Sequence, residues 1–296
     1  MKLASFRLPN GTTTFGRVDG DAVIDLGGTQ ADLKGAIAAG ALARPDAMGS
    51  LTDGPRHALA DVTLLPVVPN PSKVLCVGHN YESHRQETGR PKVDHPSIFT
   101  RFADTLVAHG QPIVRPRAST TLDFEGELAI VVGRGGRAIP EEEALAHVAG
   151  YACFNDASVR DWQWHTSQFI PGKNFPGTGA FGPWLVTPDE TGDLADVRVT
   201  TRLNGEVVQD QPIRDLIFPI ATIIAYISAF TPLAPGDVIA TGTPGGVGAK
   251  RQPPLWMKAG DRVDVTIGPL GTLANPVADE DALAADVLTG HALARV

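Results

Sequence analysis

Short apolar runs broken by turn residues dominate this chain, and helical periodicity is rare. Residues 3–8 and 13–18 read as strands on either side of a Pro9-Asn10-Gly11 turn. Runs of strand length recur at 73–77, 151–156, 238–241, 262–267 and 272–277. Residues 122–132 read as a strand that alternates at first and then turns continuously apolar, closed by a glycine turn at 133–136. Residues 195–203 and 206–209 flank Asn204-Gly205, a dipeptide that selects a tight hairpin. Helices are predicted over the alanine-rich stretch 31–43, a short polar segment 80–88 closed by Gly89-Arg90-Pro91, residues 141–149, and residues 158–167 with Ser158 as N-cap. Strands outnumber helices without regular βαβ alternation, which predicts an α+β, mostly β fold with largely antiparallel sheets. Three prolines within 66–71 mark a linker or edge segment. They divide a small N-terminal domain, 1–70, from a larger one, 71–296, that carries every chemical motif.

Residues 216–235 hold no charge and are nominally long enough to span a bilayer. Pro219, Pro232 and Pro235 cut that stretch down to residues 220–230, which read as a buried core helix rather than a membrane segment. The N-terminus has no long apolar stretch behind its lysine, so no signal peptide is expected and the cytoplasm is the default compartment. A net charge of −8 without a basic stripe argues against nucleic-acid binding. Cys76 and Cys153 are too few for a disulfide framework, lack zinc-site spacing, and read as small buried hydrophobes.

The segment 122–130, LDFEGELAI, sets Glu125 and Glu127 two residues apart on one strand face. Paired carboxylates in an apolar strand repel each other unless solvated or bridged by a hard cation. An exposed strand edge and a metal site both fit that pattern. Asp156 closes the strand YACFND just before a helix start, where it is either a third oxygen ligand or a helix cap. His84 and Glu87 stand i, i+3 on the short helix, the spacing at which a carboxylate fixes an imidazole tautomer for base catalysis. His79 and His95 are weaker candidates, and His57, His109, His147, His165 and His291 are expected at the surface. GTPGGVG at 242–248 offers backbone N–H groups to a carboxylate but lacks dinucleotide-binding spacing.

In this order VGHNYESH, SIFTRF, LDFEGELAIVVG, GYACFNDASVRDWQ, GKNF, GPW and PGDVIATGTPGGVG resemble the fumarylacetoacetate hydrolase family over about residues 71–280. The resemblance implies a mixed β-roll with a small variable N-terminal α+β domain, usually a homodimer. It places a Mg²⁺ or Mn²⁺ triad on Glu125, Glu127 and Asp156 and a catalytic dyad on His84 and Glu87. It sets Lys173 and Gln163 against the substrate, with Thr243 of the glycine loop and, more loosely, Tyr81 and Arg101. After GKNF the chain runs Pro176-Gly177-Thr178 where many relatives carry Asp-Thr. The implied activity is hydrolysis of the C–C bond of a 2,4-dioxo acid (an acylpyruvate) through a pyruvate enolate. Oxaloacetate-type decarboxylation and keto–enol or double-bond isomerisation are the alternatives at the same site, and a non-enzymatic 2-oxo-acid-binding protein is a third. Small 2-oxo acids are the expected partners.

Overall fold

The computed structural model describes residues 1–42 and 54–283. Among them a mixed sheet of twelve strands faces a second sheet of five, so the mostly β reading holds. The central strand of the large sheet, Gly126–Val132, is buried along its whole length. Leu128, Ile130 and Val132 enter the core shared with the second sheet and with Ile223, Ile224 and Ile227. Ala129 and Val131 pack on the opposite face against Phe15, Leu33 and Ile37. Burial on both faces explains the unbroken apolar run.

Gly126–Val132 pairs antiparallel with Val148–Asp156 on one side and with Val238–Ala240 on the other. Val238–Ala240 pairs parallel with Val74–Gly78, which pairs antiparallel with Ser97–Arg101. Beyond Val148–Asp156 lie Gly179–Val186 and then Lys2–Arg7. Through Lys2–Arg7 the N-terminal strands hydrogen-bond into the same sheet. Leu65–Val68, in the proline-rich stretch, is buried, and Val67 O accepts from Ser5 Oγ at 2.8 Å.

The locally encoded elements fall where the pattern puts them. The hairpin Arg198–Leu203 and Glu206–Pro212 turns at Asn204 and Gly205, both at positive φ, 52° and 86°. The uncharged helix is Ile220–Phe230 and follows Pro219. No helix among the described residues is long and apolar enough to cross a membrane.

Several boundaries differ. The alanine-rich helix is shorter, Leu33–Ala38, capped by Asp32; residue 43, like His291, lies outside the described residues. Residues 141–147 form a 3₁₀ turn, and Val148 already begins the next strand. Ser158 is not an N-cap: its hydroxyl donates back to Asp156 O, and Ser158–Val159 pairs with Leu122–Asp123 before the helix Arg160–Gln163. The strand 122–132 is split, with Phe124 and Glu125 between its two halves. His147 is buried rather than exposed, with Nδ1 donating to Arg134 O at 2.7 Å.

Asn80 ties together the loops at one end of the large sheet. Its side-chain amide donates to Phe218 O and Thr241 O at 3.1 and 2.7 Å, and its Oδ1 accepts from Phe218 N at 2.8 Å. The helix Glu82–Glu87, the glycine loop after Val238–Ala240 and the entry to helix Ile220–Phe230 are thereby held around one opening.

Candidate active site

Strand register assembles the acidic cluster. Glu127 lies opposite Phe154, so Asp156, two residues on, stands on the same face at the diagonal position. Glu125 arrives from the break before this strand. Its N–H donates to Asn155 Oδ1 and its carbonyl accepts from Asp156 N. Gly126 is required between the two glutamates because a Cβ there would lie 2.0 Å from Thr201 Oγ1 of the second sheet. The carboxylates of Glu125, Glu127 and Asp156 are all buried, and one oxygen from each lies within 4.8 Å of the others.

Cations hold two of these acids. Lys173 Nζ donates to Glu125 Oε2 at 2.7 Å and to Asp156 Oδ2 at 2.6 Å. Arg160 Nη1 reaches Glu125 Oε1 at 2.6 Å, and its Nε reaches Asp123 Oδ2 at 2.8 Å. Arg101 Nη1 lies 2.5 Å from Asp156 Oδ1. Glu127 pairs with no cation among the described residues; Gly242 N donates to it at 2.8 Å. Four buried carboxylates (Asp123, Glu125, Glu127, Asp156) thus face three buried cations (Arg101, Arg160, Lys173), and the charge imbalance falls on Glu127. Burial works to raise the Glu125 carboxyl, but Lys173 and Arg160 outweigh it and hold the group well below the usual range. Burial, then Asp156 and Glu125, push Glu127 well above it. An all-oxygen cluster one positive charge short fits a hard divalent cation, which Glu125, Glu127 and Asp156 would hold.

Beside the cluster, His84 Nδ1 donates to Glu87 Oε1 at 2.7 Å, and Glu87 Oε2 accepts from Gly246 N at 2.9 Å. His84 Nε2 makes no hydrogen bond among the described residues. His84, Glu125, Glu127, Gln163, Lys173 and Thr243 all line one cavity of about 80 Å³. Asp156 lies behind Lys173, outside that lining.

Three expectations change. The glycine-loop N–H groups do not wait for a substrate carboxylate: Gly242, Gly245, Gly246 and Gly248 donate to Glu127, Ser83, Glu87 and Asp123. The loop instead positions the site's own acids. Arg101 does not face the cavity but buttresses Asp156, its Nη2 donating to Thr178 Oγ1 at 2.6 Å. Tyr81 is fully buried away from the lining.

Two residues escaped the sequence reading. Asp123 accepts from Gly248 N, Ala249 N and Arg160, locking the glycine loop to the strand break. It could have been seen as the first member of a D-x-E-x-E alternation. Arg160 lines the cavity, and its Nη2 is buried without a hydrogen-bond partner among the described residues, leaving one donor group for a ligand.

The family model for the fumarylacetoacetate (FAA) hydrolase C-terminal region matches residues 73–278. The chain belongs to the fumarylacetoacetate hydrolase family. It is 41% identical over 232 residues to the mitochondrial oxaloacetate tautomerase fahd2 of Xenopus laevis, covering 77% of this chain and 73% of that protein. Among solved structures, the fumarylacetoacetate hydrolase (EaFAH) from the psychrophilic Exiguobacterium antarcticum superposes with TM-score 0.83 at 37% identity, over 95% of this chain and all of that one. The maleylpyruvate hydrolase of Sphingobium sp. SYK-6, in complex with manganese(II) ion and pyruvate, has TM-score 0.79 and 29% identity, over 94% and 99% of the two chains. A divalent metal bound by a member of the same fold agrees with the chemistry of the acidic cluster here.

In this family site the weak candidate His79 sits against the dyad. Its ring stacks on His84 at 5.2 Å and 11° between planes, and its backbone is left-handed, φ 55°. Burial, then the neighbouring His84, lowers its pKa to about 4. A histidine neutral when folded and protonated when unfolded contributes stability that is complete above its unfolded pKa and lost as pH falls towards its folded one. For metal-free protein, lowering the pH from 7.5 to 5 should therefore cost about 2 kcal/mol through His79 alone. His79→Asn, which tolerates positive φ, should be less acid-sensitive by that amount in urea denaturation. Parallel pH dependence in the two proteins would refute this.

Proposed function

We propose that this protein is a divalent-metal-dependent keto–enol tautomerase of oxaloacetate-type 2-oxo dicarboxylic acids. The observation that carries this reading is the 41% identity, over most of both chains, to a protein named as an oxaloacetate tautomerase. The site supplies what the reaction needs: an oriented imidazole beside a cation-binding acidic cluster. The sequence alone ranks C–C hydrolysis first, with oxaloacetate-type decarboxylation or isomerisation at the same site second; the identity to a tautomerase favours the isomerisation branch of that alternative. Hydrolysis of an acylpyruvate remains the second reading, favoured by the likeness to maleylpyruvate hydrolase.

Tautomerisation moves one proton from C3 of the keto acid to the oxygen on C2. His84 Nε2 is the free base of the dyad and takes the C3 proton, while Glu87 holds the Nδ1 proton and offsets the imidazolium charge. The C–H electron pair moves to C2–C3 as the carbonyl π pair moves to oxygen, and the imidazolium returns a proton to that oxygen. Arg160 Nη2, a buried donor without a partner, binds the adjoining carboxylate. A divalent cation bound at Glu125, Glu127 and Asp156 supplies positive charge for the developing enolate oxygen.

Enol-oxaloacetate absorbance followed beside acylpyruvate cleavage, with the same Mg²⁺ or Mn²⁺ and with chelator, tests the reading. Metal-dependent acceleration of keto–enol equilibration at a kcat/KM well above that for cleavage is expected. A larger kcat/KM for cleavage would overturn it in favour of hydrolysis.

A further inference from the structure

The acids that line the catalytic cavity, Glu125 and Glu127, lie in its floor. Of the lysines and arginines in the lining, Arg160 and Lys173 are paired with buried carboxylates, and Arg160 keeps only its Nη2 for the head of the ligand. The other two, Arg90 and Lys250, are exposed at the rim and have no carboxylate partner among the described residues. In a chain of net charge −8, the cavity therefore carries positive charge at its mouth that no side chain among the described residues neutralises.

Both rim residues sit on fixed backbone. Helix Glu82–Glu87 ends at Thr88, and Gly89 turns the chain at φ 67°. Arg90 N then donates to Arg85 O at 3.1 Å, and Arg90 O accepts from the Arg85 guanidinium, itself clamped by Glu82. Lys250 ends the 3₁₀ turn Gly248–Lys250, whose first two N–H groups are held by Asp123. Its neighbour Arg251 donates to Gly246 O and Val208 O at 3.1 and 2.6 Å. The side chains alone remain free. Arg90 also lines an adjoining cavity of about 290 Å³, so its guanidinium has room to turn.

We infer that Arg90 and Lys250 bind the second carboxylate of the substrate and make this enzyme selective for 2-oxo dicarboxylates over 2-oxo monocarboxylates. The inference rests on the tautomerase reading for its substrate class and adds the residues that read the distal end. A ligand whose 2-oxo-acid head occupies the floor presents its far group to the rim. There a carboxylate meets two cations not already neutralised, and a methyl group meets nothing that favours it. The same charges steer dianions towards a cavity in an otherwise acidic protein.

The test compares binding of 3,3-difluorooxaloacetate, which has the second carboxylate but no C3 proton to lose, with binding of pyruvate, which has the head alone. Isothermal calorimetry on Mg²⁺-loaded wild type, Arg90→Met and Lys250→Met reads both. Each substitution should weaken the dicarboxylate about tenfold, the scale of one charge-assisted contact, and leave pyruvate unchanged. Arg90→Lys should recover much of the loss, and added salt should weaken dicarboxylate binding in wild type more than in the double variant. The inference is overturned if wild type binds the two ligands equally, or if the variants weaken both in parallel. Turnover of oxaloacetate is read separately: selective dicarboxylate binding without turnover sinks the tautomerase reading and leaves the rim assignment standing, and turnover with no effect of the rim variants does the reverse.

Discussion

Asp156→Ala is expected to lower the stability of the metal-free protein by about 3–5 kcal/mol, and Glu127→Gln to leave it unchanged or raise it by about 1 kcal/mol, although both abolish metal binding. The two acids belong to one cluster yet stand in opposite electrostatic positions. Asp156 is the partner of both Arg101 and Lys173, and all three side chains are essentially excluded from solvent. Truncating it leaves two buried cations short of their carboxylate, the situation that makes breaking a buried pair so destabilising. Glu127 has no cation partner among the described residues and is crowded by Asp156 and Glu125. Glutamine keeps an acceptor for Gly242 N–H and removes the charge that burial disfavours. Urea denaturation in chelator gives the stabilities, and the rise in Tm on adding Mg²⁺ or Mn²⁺ gives the metal response. Wild type should show that rise and both variants should lose it. Equal destabilisation by the two substitutions would mean that Glu127 is paired in a way this geometry does not contain. Asp156→Asn, which keeps hydrogen-bond capacity, should fall between them if alanine prevents folding.

The contrast between these acids also shows what a linear sequence displays and what it hides. Glu125, Glu127, His84 and Glu87 were legible because their relations are local: two residues along a strand, three along a helix. The hairpin at Asn204-Gly205 and the helix Ile220–Phe230 were legible for the same reason, since turn chemistry and an uncharged run are short-range signals. The strand break at Phe124–Glu125 was not, because it is fixed by Asp123 accepting from Gly248 N, 125 residues away. Arg101 resembled a substrate contact only by motif; its actual partner, Asp156, is 55 residues distant. Gly179–Val186 reads GAFGPWLV, and its glycines and proline masked a buried strand that pairs with Val148–Asp156 and Lys2–Arg7. The glycine loop misled differently. Its composition announced free N–H groups, but only folding shows that Glu127, Glu87 and Asp123 accept from them.

Glu87→Gln should lower kcat for oxaloacetate tautomerisation about 10²-fold or more, as should His84→Asn, with KM changed only a few-fold and the metal response of Tm retained. Glu87 uses one oxygen to accept from His84 Nδ1–H and the other to accept from Gly246 N–H. Glutamine has a single acceptor oxygen and cannot satisfy both. If its carbonyl stays with Gly246, its amide donates to Nδ1, the imidazole switches tautomer, and Nε2 becomes protonated and useless as a base. If its carbonyl turns to His84, Gly246 N–H faces an amide N–H and the loop that also holds Glu127 through Gly242 is disturbed. Either branch removes the base or its neutralising charge, and neither deletes an acid of the metal cluster. A loss confined to kcat in both variants identifies the dyad as the group that moves the proton. Full activity in Glu87→Gln would instead require a base elsewhere in the lining: His79, whose ring stacks on His84, before Lys173, which is already committed to Glu125 and Asp156.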